Sequence, residues 1–132
     1  MQLSPSLFFT TNCEPALAFY QRCGLGRATI LLRWGQDNMP VRTEAMRGKV
    51  LHARFEGPGV LFHASDNDDA EPMKGSALML EFGDLASAQD LFTRMAAGGV
   101  ITVPLARQYW GSSFGMLVDA FGVQWMFSCL DG

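Results

Sequence analysis

Residues 12–23, Asn12-Cys13-Glu14-Pro15-Ala16-Leu17-Ala18-Phe19-Tyr20-Gln21-Arg22-Cys23, and residues 84–95, Asp84-Leu85-Ala86-Ser87-Ala88-Gln89-Asp90-Leu91-Phe92-Thr93-Arg94-Met95, read as two copies of one helix. Ala16, Phe19, Tyr20 and Cys23 recur as Ala88, Leu91, Phe92 and Met95 at a constant offset, 84 − 12 = 72. Each set keeps the i, i+3, i+4, i+7 spacing that places apolar side chains on one helical face. Asn12 and Asp84 stand where a side-chain oxygen can cap the first turn. Pro15 falls inside a first turn, where a missing N–H costs little, and Gly24 and Gly98-Gly99 offer left-handed exits. A chain of 132 residues that repeats itself near its midpoint is expected to be two similar modules.

Working outward from the helices, residues 6–10 and 27–36 read as strands. Residues 37–49 have no clear period and contain Met39-Pro40 and Gly48, which predicts a long loop. Residues 50–56 alternate, with Leu51, Ala53 and Phe55 on one face and His52, Arg54 and Glu56 on the other. Gly57-Pro58-Gly59 is a turn, and residues 60–65 return as the second strand of a hairpin. In the second half, residues 76–82 read as a strand and 84–97 as a helix. Residues 100–107, 113–118 and 123–130 follow as strands. Both halves therefore read β-α-β-β-β. The expected fold class is α+β: two βαβββ modules forming a curved, mostly antiparallel sheet, a cup, with the helices on its outer face. The chain is expected to be a single domain, 1–132, made of an N-terminal module 1–66, a linker 67–74 and a C-terminal module 75–132. Residues 66–74 hold four acids and one lysine and read as a solvated connector. They lack the glycine and distal glutamate of an EF-hand loop.

Composition narrows the function classes. Hydrophobic residues are 48% of the chain and charged ones 17%, enough for a packed core and against disorder. A formal net charge of −3 and the lack of a Lys/Arg cluster argue against a nucleic-acid partner. No apolar run approaches the roughly 18 residues of a membrane span, so no membrane partner is expected. The three cysteines, Cys13, Cys23 and Cys129, show no C-x-x-C spacing, and the N-terminus has no basic-then-apolar leader; both predict a reducing, cytoplasmic location. Most of the eight methionines are expected in the core. No P-loop, G-x-G-x-x-G, zinc motif or Ser-His-Asp order occurs.

The chemistry-bearing residues are few. His52 and His63 lie on the two strands of one predicted hairpin and are expected near each other. His52, Arg54 and Glu56 share a strand face. Arg54 there offers a forked donor for an anionic or polar ligand, and His52 a proton carrier; a salt-bridged, solvated strand face is the plain alternative. Trp110 is placed equally well at a rim or in the core, whereas Trp125 is expected in the core. Cys13, in a helical first turn, is where the helix dipole can lower a thiol pKa, although no partnering base is evident.

The text Trp110-Gly111, Phe114-Gly115-Met116-Leu117-Val118-Asp119 and Ala120-Phe121-Gly122-Val123-Gln124-Trp125 resembles the PhnB-like branch of the vicinal-oxygen-chelate superfamily, which includes glyoxalases, bleomycin-resistance proteins and extradiol dioxygenases. Asn12-Cys13-Glu14 with Ala16-Leu17-Ala18-Phe19-Tyr20 resembles the same branch, as does Lys49-Val50-Leu51-His52-Ala53-Arg54 with its partner strand ending Ser65-Asp66. Ala120 departs from the proline usual in the branch. The resemblance implies paired βαβββ modules and a homodimer. Its metal-using members hold a divalent ion on inward His and Glu residues. Those places fall near Pro5, near Phe62 (with His63 beside it), at Ser76 and near Met126, none of which is a competent ligand. The expectation is a metal-free binder of an unidentified small molecule, with no cofactor and no complete catalytic set, its ligand-binding candidates being His52, Arg54, Glu56, His63 and Trp110. A metal-dependent lyase, isomerase or dioxygenase, and a dimeric interaction module with a filled cup, are the alternatives.

Overall fold

Sheet and helix recur in the same order in both halves of the chain. The computed structural model describes residues 1–130. Strands β1 (Ser6–Phe9), β2 (Arg27–Arg33), β3 (Val50–Gly57) and β4 (Val60–Asp66) accompany helix α1 (Cys13–Cys23), and strands β5 (Leu78–Phe82), β6 (Val100–Arg107), β7 (Ser112–Val118) and β8 (Gln124–Leu130) accompany helix α2 (Leu85–Met95). The two four-stranded sheets have the orders β1-β4-β3-β2 and β5-β8-β7-β6. In each, the first strand pairs parallel with the last and the remaining pairs are antiparallel. The fold class is α+β, built from two βαβββ modules. The chain divides into two compact units, 1–72 and 73–132.

In the first unit, α1 covers one face of its sheet with Ala16, Leu17, Tyr20 and Cys23, all buried. Leu7 and Phe9 of β1, Ala53 and Phe55 of β3, and Phe62 and Ala64 of β4 are buried as well. The Tyr20 ring stands edge-on to Phe55 at 6.1 Å and to Phe62 at 6.2 Å, and those two rings stack at 4.8 Å. Burying each such ring contributes about 1.5–3 kcal/mol. Leaving the helix, Gly24 adopts φ 89°, the left-handed cap. Gly26 then brings the chain so close to β3 that a Cβ would lie 2.3 Å from the Glu56 carbonyl oxygen.

The second unit repeats the arrangement. Ala88, Phe92 and Met95 of α2 are buried, as are Trp125, Phe127 and Cys129 of β8. Phe92 stands edge-on to Phe127 at 5.0 Å, and Phe82 stacks on Phe127 at 5.6 Å. Gly99 repeats the tight approach of Gly26: a Cβ there would lie 2.2 Å from the Val118 carbonyl oxygen. The turn before β8 is built by Asp119. Its Oδ1 accepts from the amides of Phe121 (2.8 Å) and Val123 (3.0 Å), and its Oδ2 from Trp125 Nε1 (2.8 Å).

Several local expectations are corrected. Asn12 makes no side-chain cap on α1, whereas Asp84 caps α2 by accepting from the Ser87 amide. β2 stops at Arg33 rather than residue 36, because Gly35 turns the backbone at φ 80° and the Gln36 side chain takes the Arg33 amide at 3.1 Å. The segment that follows carries two short 3-10 turns, Gln36–Asn38 and Glu44–Met46. β5 begins at Leu78 rather than 76, and α2 ends at Met95 rather than 97. Register shifts opposite the start of β3 put Val50 in the core and leave Leu51 only half-buried. Among the described residues, no helix is long and apolar enough to cross a membrane.

Candidate functional site

Because α1 occupies one face of the first sheet, residues alternating away from it share the opposite, open face. Strand register orders them into rows. Ser6 pairs with His63, His63 with Arg54, and Arg54 with Thr29, so one line crosses all four strands. A second line pairs Leu61 with Glu56 and Glu56 with Arg27, and on the other side His52 faces Leu32.

Four of the five sequence candidates meet on this face. His52 Nε2 lies 3.1 Å from His63 Nδ1, with the rings 5.2 Å apart and inclined by 28°. One imidazole N–H donates to the other ring's bare nitrogen, so the tautomer of one ring fixes that of its partner. Arg54 Nε lies 3.1 Å from Glu56 Oε1, an ion pair that is half-exposed and worth little to stability. Phe8 and Leu32 leave apolar surface on the same face, 58% and 40% exposed. Trp110, the fifth candidate, belongs to the second unit, where it is 54% exposed. There its Nε1 donates to Ser112 Oγ at 2.6 Å, and its ring meets Tyr109 and Phe114 edge-on.

The donor set does not fit a divalent metal. Pro5 and Ser76 lie outside the strands, and Phe62 is buried against Tyr20 and Phe55. Met126 pairs with Met79 on β5. The open-face residue of β4 is His63, one register away from Phe62, and its cross-strand neighbours are Ser6 and Arg54. Glu56 is committed to Arg54, and among the described residues no three His, Cys, Asp or Glu side chains converge.

One functional-looking group escaped the sequence reading. Asp66, assigned there to the end of a strand and the start of an acidic connector, is 1% exposed. Its Oδ1 accepts from the Cys13 amide at 2.9 Å and its Oδ2 from the Val50 amide at 3.1 Å, while its carbonyl accepts from Trp34 Nε1 at 2.8 Å. Thus the first helical amide of α1, which an N-cap side chain does not reach, is satisfied from β4. A cavity of about 350 Å³ lies beside it, lined in part by Thr11, Glu14, Lys49 and Asp66. The lowered thiol pKa expected for Cys13 is reversed: burial, reinforced by the Asp66 carboxylate and then Glu14, pushes it up to about 12. The only visible signal was an acid directly ending an apolar strand, which composition alone could not separate from the acids that follow it.

Paired βαβββ modules, each with a helix packed on one sheet face, are the architecture of one superfamily. The chain belongs to the Glyoxalase/Bleomycin resistance protein/Dioxygenase superfamily, whose family model matches residues 2–127. It is similar to Protein YjdN of Escherichia coli, with 27% identity over 137 residues covering 96% of this chain and 93% of that protein. The crystal structure of protein PA1353 from Pseudomonas aeruginosa superposes with a TM-score of 0.85 at 35% identity, covering 98% of this chain and 97% of that one. The PhnB protein from Bacillus cereus, described as a putative 3-demethylubiquinone-9 3-methyltransferase, shares the fold with a TM-score of 0.79 at 23% identity, covering 98% and 99% of the two chains.

Proposed function

We propose that this chain is a small-molecule binder that works without a resident metal, with the open face of its first sheet as the binding surface. The observation that carries this is the His52–His63 hydrogen bond of 3.1 Å. These are the chain's two imidazoles, and among the described residues no third His, Cys, Asp or Glu side chain joins them into a metal-holding group. What remains on the face is a set of hydrogen-bonding groups beside apolar surface, the composition of a small-molecule site. No Gly-rich strand-to-helix turn of the kind that holds S-adenosylmethionine occurs, so methyl transfer has no support in the residues.

A homodimer is part of the same proposal. β2 and β6 each end a sheet in hydrogen-bonding order, and strand edges of this kind are normally covered by another element or chain. Val100 and Ile101 of β6 are exposed.

Elemental analysis of the purified chain, joined to calorimetry against a panel of metabolites and antibiotics, tests the reading. Saturable binding with the ligand recovered unchanged and no stoichiometric metal is the expected result. A retained equivalent of metal that His63→Ala removes, or consumption of a bound ligand, overturns it. Sedimentation of the same sample is expected to give twice the chain mass; a monomer at all concentrations overturns the dimer.

A further inference from the structure

We infer that the cavity beside Asp66 is a second binding site, separate from the open sheet face, and that it takes a small aliphatic α-amino acid in its zwitterionic form. The size of the cavity, its unmet polar groups and its arrangement of charge point to the same ligand.

Size comes first. The cavity measures about 350 Å³, and Pro15, Ala18 and Val50 form its apolar wall. One water occupies roughly 30 Å³, so the space far exceeds what a bridging water or two would fill. It stands at the small end of ligand pockets, which run from roughly 300 to 1,000 Å³. An aliphatic side chain suits the apolar wall.

The polar lining is of two kinds. Two groups are already engaged: Glu14 accepts from both terminal nitrogens of Arg33, at 2.9 Å each, and Asp66 accepts the amides of Cys13 and Val50. Two are not: among the described residues, neither the Lys49 ammonium nor the Thr11 hydroxyl has a hydrogen-bond or ion-pair partner. Lys49 is nevertheless fixed in place. Its N–H donates to the Met46 carbonyl at 2.9 Å, its carbonyl accepts from the Trp34 amide at 2.8 Å, and its side chain is half-buried.

Charge then selects the ligand. Lys49 and Arg33 stand against Glu14 and Asp66, 2 − 2 = 0. A bare anion drawn to Lys49 would meet two carboxylates, and a bare cation drawn to Asp66 would meet Lys49. A zwitterion avoids both penalties. Arg33 cancels Glu14 by direct contact, which leaves Lys49 and Asp66 for the ligand to answer. The Glu14 carboxyl is held below its usual range, first by the Arg33 hydrogen bonds and further by the charge of Lys49, so the ammonium stands near the carboxylates rather than out in solvent. Lys49 directly precedes Val50, whose amide Asp66 holds at 3.1 Å. The two opposite charges therefore lie close together, and the ligand must carry its own pair equally close, as an α-amino acid does. A carboxylate accepts at roughly four positions, and Asp66 fills two with amides, which leaves room for the ligand's ammonium. Lys49 and the Thr11 hydroxyl donate to the ligand's carboxylate.

The test uses the whole chain at neutral pH with L-leucine as the probe. Isocaproate, which lacks the ammonium, and isoamylamine, which lacks the carboxylate, serve as its two halves. Amide NMR reads the site directly, because the Cys13 and Val50 N–H groups both donate to Asp66. Leucine is expected to shift these two amides saturably and to bind roughly ten-fold or more tightly than either half. Lys49→Met keeps an apolar stem and removes the charge, and is expected to weaken leucine by a similar factor. Asp66 is left intact because it is also a structural tie; its part is read from the two amides in the unmodified chain. Absence of a saturable shift at Cys13 and Val50, equal affinity for either half-molecule, or unchanged binding in Lys49→Met would each overturn the inference. Leucine shifts confined to the open sheet face would do the same. None of these outcomes bears on the open-face binding proposed above, which rests on other residues.

Discussion

Asp66 and Cys13 stand 53 residues apart in sequence, and the carboxylate of one accepts the backbone N–H of the other at 2.9 Å. The same carboxylate takes the Val50 amide at 3.1 Å, so one side chain ties the start of α1, the start of β3 and the end of β4. Asp66→Ala leaves two amides without their acceptor in a buried setting. It is expected to cost about 3 kcal/mol in urea unfolding, with Asp66→Asn costing about half as much because its amide oxygen still accepts. A loss under about 0.5 kcal/mol for Asp66→Ala would show that water replaces the carboxylate at no cost.

Cys13 is the second consequence of that contact. Its thiol is moved from 9.0 to about 12, chiefly by burial, so the native state stays protonated where the unfolded chain ionises. The folded-state pKa is raised; the associated stability is fully present below pH 9.0 and is lost as pH rises from there toward 12. Unfolding free energy measured across this alkaline range is expected to fall, and Cys13→Ala to flatten that fall. At pH 8 iodoacetamide is expected to leave Cys13 unmodified in the native chain and to label it in urea, as read by peptide mass spectrometry.

Tyr20 and Phe92 occupy the same place in the two helices, 92 − 20 = 72 residues apart, and each meets aromatic partners from its own sheet. Truncation of either to alanine removes a core ring and leaves a cavity. Each is expected to cost about 3–5 kcal/mol, by chemical denaturation. A mild effect at one position and a severe one at the other would show that the modules are not equivalent in packing.

Gly26 and Gly99 form a second matched pair, at an offset of 99 − 26 = 73. In each, the atom a Cβ would strike is a backbone carbonyl oxygen, at 2.3 Å from Glu56 and 2.2 Å from Val118. A flexible side chain could give way, but a strand backbone cannot without losing its ladder. Gly26→Ala and Gly99→Ala are each expected to destabilise by about 2 kcal/mol or more. Gly48→Ala and Gly59→Ala meet nothing within 4 Å but carry the cost of positive φ, and they calibrate the clash against backbone strain alone.

Much of the architecture was legible because it is periodic. Helical spacing located α1 and α2, alternation located β3, and the Asp119–Gly122 turn carried its own local chemistry. The face shared by His52, Arg54 and Glu56 followed from period two, and the pairing of β3 with β4 brought His63 beside His52 as the hairpin implied. What failed was set by atoms distant in sequence. Phe62 was placed for His63 because a strand's register across its neighbours is not written in its own residues. Cys13 looked activated because a helix terminus is visible in sequence and burial is not.

Repetition, alternation and turn residues by themselves determined that this protein consists of two βαβββ modules, since local spacing alone dictates which side chains share a face. Tertiary structure decided which groups touch: that two imidazoles hydrogen-bond to each other, that Asp66 holds Cys13, and that Glu56 is spent on Arg54. Those outcomes depend on strand register and on distances set by packing, and a shift of a single residue would send each of these side chains to the other face of the sheet.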